Sequence, residues 1–255
     1  MPAFDAAGVA VNYIDEGRGP EIVLVHGFAS SLKGNWRAPG IIDALVASGR
    51  RVIALDCRGH GESAKPHDPA AYDGTAMADD VIALMDHLAV ATADLMGYSM
   101  GGFLSASLLA RHPERFRSVM LCGVGDAVVA GRLPRERAEA IARAMESADG
   151  GDNPSARAFR VFAEQNGNDL AALAAMQRAT RAAFDGTALR RTTLPVMVLI
   201  GEGDTLVGSA DGLAAAIPGA KLVKVPGDHL TAVGQPAFRQ AMLEFLAERS
   251  PVPAR

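Results

Sequence analysis

Short runs of apolar, β-branched residues alternate along the chain with longer segments whose apolar positions recur at helical spacing. The runs predict strands and the longer segments predict helices. Their alternation predicts an α/β protein with a mostly parallel central sheet covered by helices on both faces. Residues 9–15 read as a strand closed by Glu16-Gly17-Arg18-Gly19-Pro20, with Phe4 and Asp5 pairing to it as a hairpin. Residues 22–25, Ile-Val-Leu-Val, are apolar throughout, as a strand buried on both faces must be, and the run stops at His26-Gly27. Further strands are expected at 52–55, 94–97, 117–122, 195–200 and 221–225, and helices at 41–48, 77–88, 101–111 and 237–248. Within 77–88, Val81, Leu84, Met85 and Leu88 share one face, with Asp79, Asp80, Asp86 and His87 mostly away from it.

Between residues 126 and 191 the strand pattern disappears. Ala- and Arg-rich helical segments take its place, broken at Pro134, at 149–154 and at Asn166-Gly167. The expectation is a helical cap over 126–191, inserted into an α/β core made of 1–125 and 192–255. Arg132, Arg135, Arg137, Arg143, Arg157 and Arg160 in this cap suggest an anion site, but the interleaved Glu136, Glu139, Glu146 and Glu164 favour a solvated face of mixed charge.

The 255 residues suit one large domain with an insertion, and 49% hydrophobic with 21% charged residues is the balance of a globular protein. A net charge of -4 offers no basic footprint for nucleic acid or an anionic membrane, which leaves a small-molecule substrate as the expected partner. The opening Met1-Pro2-Ala3-Phe4-Asp5 lacks the basic flank and apolar segment of a secretory signal, and no apolar run is long enough to span a bilayer; the expected location is the cytoplasm. Cys57 and Cys122 lie in different elements without metal-ligand spacing, so they read as free thiols. Neither metal nor cofactor is expected, and the oligomeric state is left open.

Chemistry concentrates where predicted strands end. Gly97-Tyr98-Ser99-Met100-Gly101 lies between a strand and a helix, the setting in which a sharp turn presents a serine hydroxyl above the sheet edge. A serine hydroxyl needs a base to take its proton and an acid to orient that base. His229, in Pro226-Gly227-Asp228-His229 after the last strand, is the expected base. His26 and His60 lie in glycine loops, His67 and His87 beside charged or proline residues, and His112 at a helix end. Asp204, after the strand at 195–200, is the expected acid; Asp126, after the preceding strand, competes with it. Glu202 and Asp228 read as solvated or structural. The backbone N–H groups of Met100 and Phe28 are the expected oxyanion donors, with His26 supporting the Phe28 loop. Phe28, Trp36, Phe103, Phe159, Phe162 and Leu206 are the expected substrate-binding residues, and the alanine-rich cap suggests a compact acyl group.

His26-Gly27-Phe28, Asp56-x-Arg58-Gly59-His60-Gly61-x-Ser63, Gly97-Tyr98-Ser99-Met100-Gly101-Gly102, Gly201-x-x-Asp204 and Asp228-His229 together resemble the α/β-hydrolase fold family. The resemblance implies Ser99 as nucleophile, His229 as base, Asp204 as acid, and acyl transfer to water without metal or organic cofactor. Serine at the elbow argues against the haloalkane dehalogenases and epoxide hydrolases of that family, which carry aspartate there. Many relatives have Gly-His where this chain has Asp228-His229. The expected activity is cleavage of a small carboxylic ester. Carbon–carbon bond hydrolysis of a diketone, perhydrolysis and acyl transfer to an alcohol are alternatives on the same three residues, and a ligand receptor with slow or no turnover is the alternative of another class.

Overall fold

The computed structural model describes residues 1–131 and 135–249; Arg132 and Pro134 therefore lie outside the described residues. An eight-stranded sheet runs through the molecule in the order β1-β2-β4-β3-β5-β6-β7-β8. Its strands are β1 (Ala3–Ala6), β2 (Val9–Gly17), β3 (Glu21–Val25), β4 (Arg51–Leu55), β5 (Ala93–Tyr98), β6 (Phe116–Cys122), β7 (Val196–Gly201) and β8 (Lys221–Val225). The first two form the expected hairpin, turning at Ala7 and Gly8, both with positive φ as a tight two-residue hairpin turn requires. Strand β2 pairs antiparallel with β4, and from β4 to β8 all pairings are parallel.

The helices are α1 (Ile41–Ala47), α2 (Ala76–His87), α3 (Met100–Arg111), α4 (Arg135–Glu146), α5 (Pro154–Gln165), α6 (Leu170–Arg178), α7 (Asp211–Ala216) and α8 (Pro236–Arg249). Alternation along the strands divides the core into two layers. Val23, Val25, Leu95, Leu121 and Val198 meet Val81, Leu84 and Leu108 of α2 and α3. Ile22, Leu24, Met96, Met120 and Leu199 meet Ile41, Leu45, Phe238 and Phe245 of α1 and α8. Both faces of the central strands are thus covered, which is why β3 has no polar alternation.

One expected surface residue is inside. Asp80 of α2 is buried and receives the Arg58 guanidinium at 2.6 and 2.7 Å. The apolar stripe of α2 does not reveal this, because the partner comes from the loop after β4.

Residues 126–191 contribute helices α4 to α6 and two short helical turns, and no strand to the sheet among the described residues. Asn153 and Asp169 accept backbone N–H bonds at the starts of α5 and α6, and Pro154 occupies the first turn of α5, where its missing N–H costs nothing. The mixed charges largely satisfy one another and the helix ends: Arg143 pairs with Glu139, Arg178 with Glu139 and Glu146, and Arg160 with Glu164 and the last carbonyls of α4. Asn168 Nδ2 donates to the Ala29 carbonyl at 2.8 Å, tying this segment to the loop after β3.

Candidate active site

The site lies where chain direction reverses in the sheet. From β3 the chain crosses to β4 on one side and then returns to β5 on the other, so the loops leaving β3 and β5 diverge and open a crevice at the carboxyl ends of the strands. Ser99 occupies the turn between β5 and α3 with φ 55° and ψ -113°, a conformation that costs a non-glycine residue about 1–3 kcal/mol. Packing holds it there. A Cβ on Gly101 would collide with the Val25 carbonyl, and one on Gly97 with the Gly101 carbonyl, so both flanking glycines are required by close backbone approach.

His229 follows β8 and Asp204 follows β7, and both are buried. His229 Nε2 is 2.9 Å from Ser99 Oγ, and His229 Nδ1 is 2.7 Å from Asp204 Oδ2. A carboxylate at Nδ1 fixes the proton there, leaving Nε2 as the acceptor facing the serine hydroxyl. The second Asp204 oxygen accepts the Leu206 and Val207 N–H groups at 3.1 and 3.4 Å, which locks the carboxylate in place. Asp126 sits elsewhere: its carboxylate accepts the Leu213 N–H at 2.8 Å in α7. Asp228 is likewise occupied, accepting from the Leu230 and Thr231 N–H groups and the Thr231 hydroxyl, and these hydrogen bonds hold its carboxyl below the usual carboxylate range.

The loop after β3 is held by groups that account for its neighbouring amides. Gly27 N–H donates to Asn35 Oδ1 at 2.8 Å, Ala29 N–H to His60 Nε2 at 3.1 Å, and Ser30 N–H to the Gly27 carbonyl at 3.3 Å. Among the described residues, the Phe28 N–H has no such partner, nor does the Met100 N–H at the start of α3. His26 accepts the Cys57 N–H at 3.0 Å and donates through Nδ1 to the Gly27 carbonyl at 2.7 Å. Burial pushes His26 down, and burial with the neighbouring His26 pushes His60 down to about 3, so both rings are neutral supports. The rest of the Asp56–Ser63 motif is also scaffold: Asp56 accepts from Leu32 N–H, Glu62 N–H and Asn12 Nδ2. Asn35 is a site residue that the sequence reading missed, since nothing in Lys33-Gly34-Asn35-Trp36 distinguishes it locally.

Two cavities meet at Ser99. The larger, about 400 Å³, is lined by Phe28, Phe159, Phe162 and Leu206 together with polar groups such as Asn35 and Thr205. The smaller, about 150 Å³, shares Phe28, Phe159 and Leu206 and adds Met100 and Phe103. Trp36 lines neither and is corrected to a core residue: the helical turn Lys33–Arg37 aims its indole into the layer of Leu32, Ile41 and Phe238, where it is fully buried. Cys57 and Cys122 are free and buried. No helix among the described residues is long and apolar enough to cross a membrane.

A family model described as the α/β-hydrolase fold matches residues 20–158. The chain is 30% identical to 3-oxoadipate enol-lactonase 2 of Acinetobacter baylyi over 95% of its own length and 97% of that protein. It is 38% identical to 2-hydroxymuconate semialdehyde hydrolase of Pseudomonas sp. (strain CF600), but that match covers 46% of the chain and only 41% of the relative. Among solved structures it is similar to the enol-lactonase from Burkholderia xenovorans LB400, with a TM-score of 0.79, 28% identity, and coverage of 96% of this chain and 100% of that one.

Proposed function

The chain belongs to the α/β-hydrolase fold family, and from that premise we propose that it hydrolyses carboxylic esters, cyclic ones included, through an acyl-enzyme on Ser99. Ser99 Oγ attacks the carbonyl carbon as His229 Nε2 takes its proton, and Asp204 holds and compensates the resulting imidazolium. The Phe28 and Met100 N–H groups receive the oxyanion. His229 returns the proton to the departing alkoxide, which leaves as the alcohol or, from a lactone, remains tethered. Water, deprotonated by the same imidazole, then releases the acid and restores the serine. Residues 126–191 form the lid of the substrate chamber in this reading.

The observation that carries the proposal is the pair of contacts 2.9 Å and 2.7 Å on either side of the His229 ring. The full-length similarity to an enol-lactonase supports an ester bond as the target. The partial similarity to a semialdehyde hydrolase supports a second reading, carbon–carbon cleavage on the same residues. Product analysis with aryl esters, simple lactones and a vinylogous diketone separates the two. Ester and lactone hydrolysis with an untouched diketone is the expected result; the reverse preference selects the second reading.

A further inference from the structure

The loop that carries the Phe28 N–H is held from the helical segment as well as from the core. Gly27 to Ser30 form a β-turn, closed by the Ser30 N–H on the Gly27 carbonyl at 3.3 Å. Its third residue, Ala29, is fully buried with φ 57°, at a turn position where glycine is favoured because a Cβ crowds the left-handed backbone. Both polar groups of Ala29 are pinned. Its N–H donates to His60 Nε2 at 3.1 Å, and its carbonyl accepts from Asn168 Nδ2 at 2.8 Å. Asn168 lies between α5 and α6 and is itself fixed: its backbone N–H donates to the Ala163 carbonyl at 3.0 Å, and Nδ2 makes a second, 3.3 Å bond to the same oxygen. The next residue, Asp169, accepts the Ala172 N–H at the start of α6 and pairs with His67 of the loop after β4 at 2.9 Å.

These bonds join into one line. The Ala29–Ser30 peptide receives the Asn168 amide on its carbonyl and gives its own N–H to the Gly27 carbonyl. The Gly27–Phe28 peptide takes that bond, and a 2.7 Å bond from His26 Nδ1, on its carbonyl edge and carries the Phe28 N–H on the other. Each hydrogen bond in such a chain polarises the next. We propose that Asn168 is a positioning residue for the oxyanion donor: by holding Ala29 in the left-handed conformation it aims and polarises the Phe28 N–H. Asn168 lines neither cavity at Ser99, so it acts through the turn and not on the substrate. This rests on the Phe28 N–H receiving the oxyanion as described above; the new element is that a residue of 126–191 completes the oxyanion site, so that substrate chamber and catalytic machinery assemble together.

The test measures kcat and KM for a short aryl ester in the wild type, Asn168→Ala, Asn168→Asp, Ala29→Gly and the double variant Ala29→Gly with Asn168→Ala. Ser99→Ala runs alongside, and circular dichroism identifies folded variants. Asn168→Ala should lower kcat about tenfold, the scale of a left-handed alanine no longer held in place, with KM within about twofold of the wild type. Asn168→Asp keeps the shape but sets an oxygen against the Ala29 carbonyl, so its kcat should fall at least as far; it takes the place of an Asn168→Ala that does not fold. In the Ala29→Gly background the cost of losing the Asn168 amide should shrink to about threefold or less, because glycine adopts the turn without help. A raised KM with unchanged kcat and no relief from Ala29→Gly would mean that Asn168 only seats the helices. That result, or wild-type kcat in a folded Asn168→Asp, overturns the inference. Turnover by Ser99→Ala would instead overturn the reading of Ser99, whose failure is thereby distinguished from failure of the Asn168 assignment.

Discussion

The Tyr98 hydroxyl donates a 2.7 Å hydrogen bond to the backbone carbonyl of His229. The residue before the serine thus pins the loop that carries the histidine, and the two rings also pack at 5.6 Å between centroids. The relative position of Ser99 and His229, which come from different strands, is set in part by this bond.

Replacing Tyr98 with Phe keeps the ring and removes the donor, leaving a buried carbonyl unpaired. The expected loss is about 1 kcal/mol, or about fivefold in kcat where it falls on the transition state, with KM little changed. Steady-state kinetics on an aryl ester, alongside a urea titration, checks this. Wild-type kcat in Tyr98→Phe would show that the histidine loop is held by other contacts.

Asp204 and Asp126 are separated by what they bind. Asp204→Asn leaves an amide that cannot fix the His229 tautomer, so kcat should fall by about a thousandfold or more. Asp126→Asn should leave kcat within about twofold and cost about 1 kcal/mol of stability, since the carboxylate serves the Leu213 N–H in α7. Parallel kinetics and denaturation of the two variants decide the matter; interchanged results would move the acid to Asp126.

His60 sets an acid limit on stability. Its folded pKa is about 3 against an ordinary value of 6.5, so between those values the unfolded chain binds a proton that the native protein refuses. Stability from this group is present above pH 6.5 and is lost as pH falls through that value, by about 2 kcal/mol at pH 5. His26 acts in the same direction. His60→Gln should be less stable than the wild type at pH 7, with a smaller loss between pH 7 and 5, measured by urea unfolding at both. An unchanged loss would place the acid sensitivity elsewhere.

The sheet and its helices were legible because strands buried on both faces must be continuously apolar and because glycines punctuate their ends. Helix α7 was not anticipated, since Asp211–Ala216 is too short to display a period. Ser99, Asp204 and His229 were readable as the polar residues just past strand ends, and the structure brings all three within hydrogen-bonding distance. Asn35 was not readable as serving the same crevice, because its setting depends on how the turn Lys33–Arg37 folds beneath the loop after β3. Trp36 was misassigned for the same reason: adjacent residues on a helical turn face different surroundings, and Asn35, not the indole, faces the cavity.

The most direct test is Ser99→Ala, assayed for hydrolysis of aryl esters and for labelling by a fluorophosphonate. The variant should remain folded by circular dichroism, take up no label, and lose turnover by about 10⁴-fold or more. Wild-type turnover in the folded variant would contradict the assignment of Ser99 as the nucleophile.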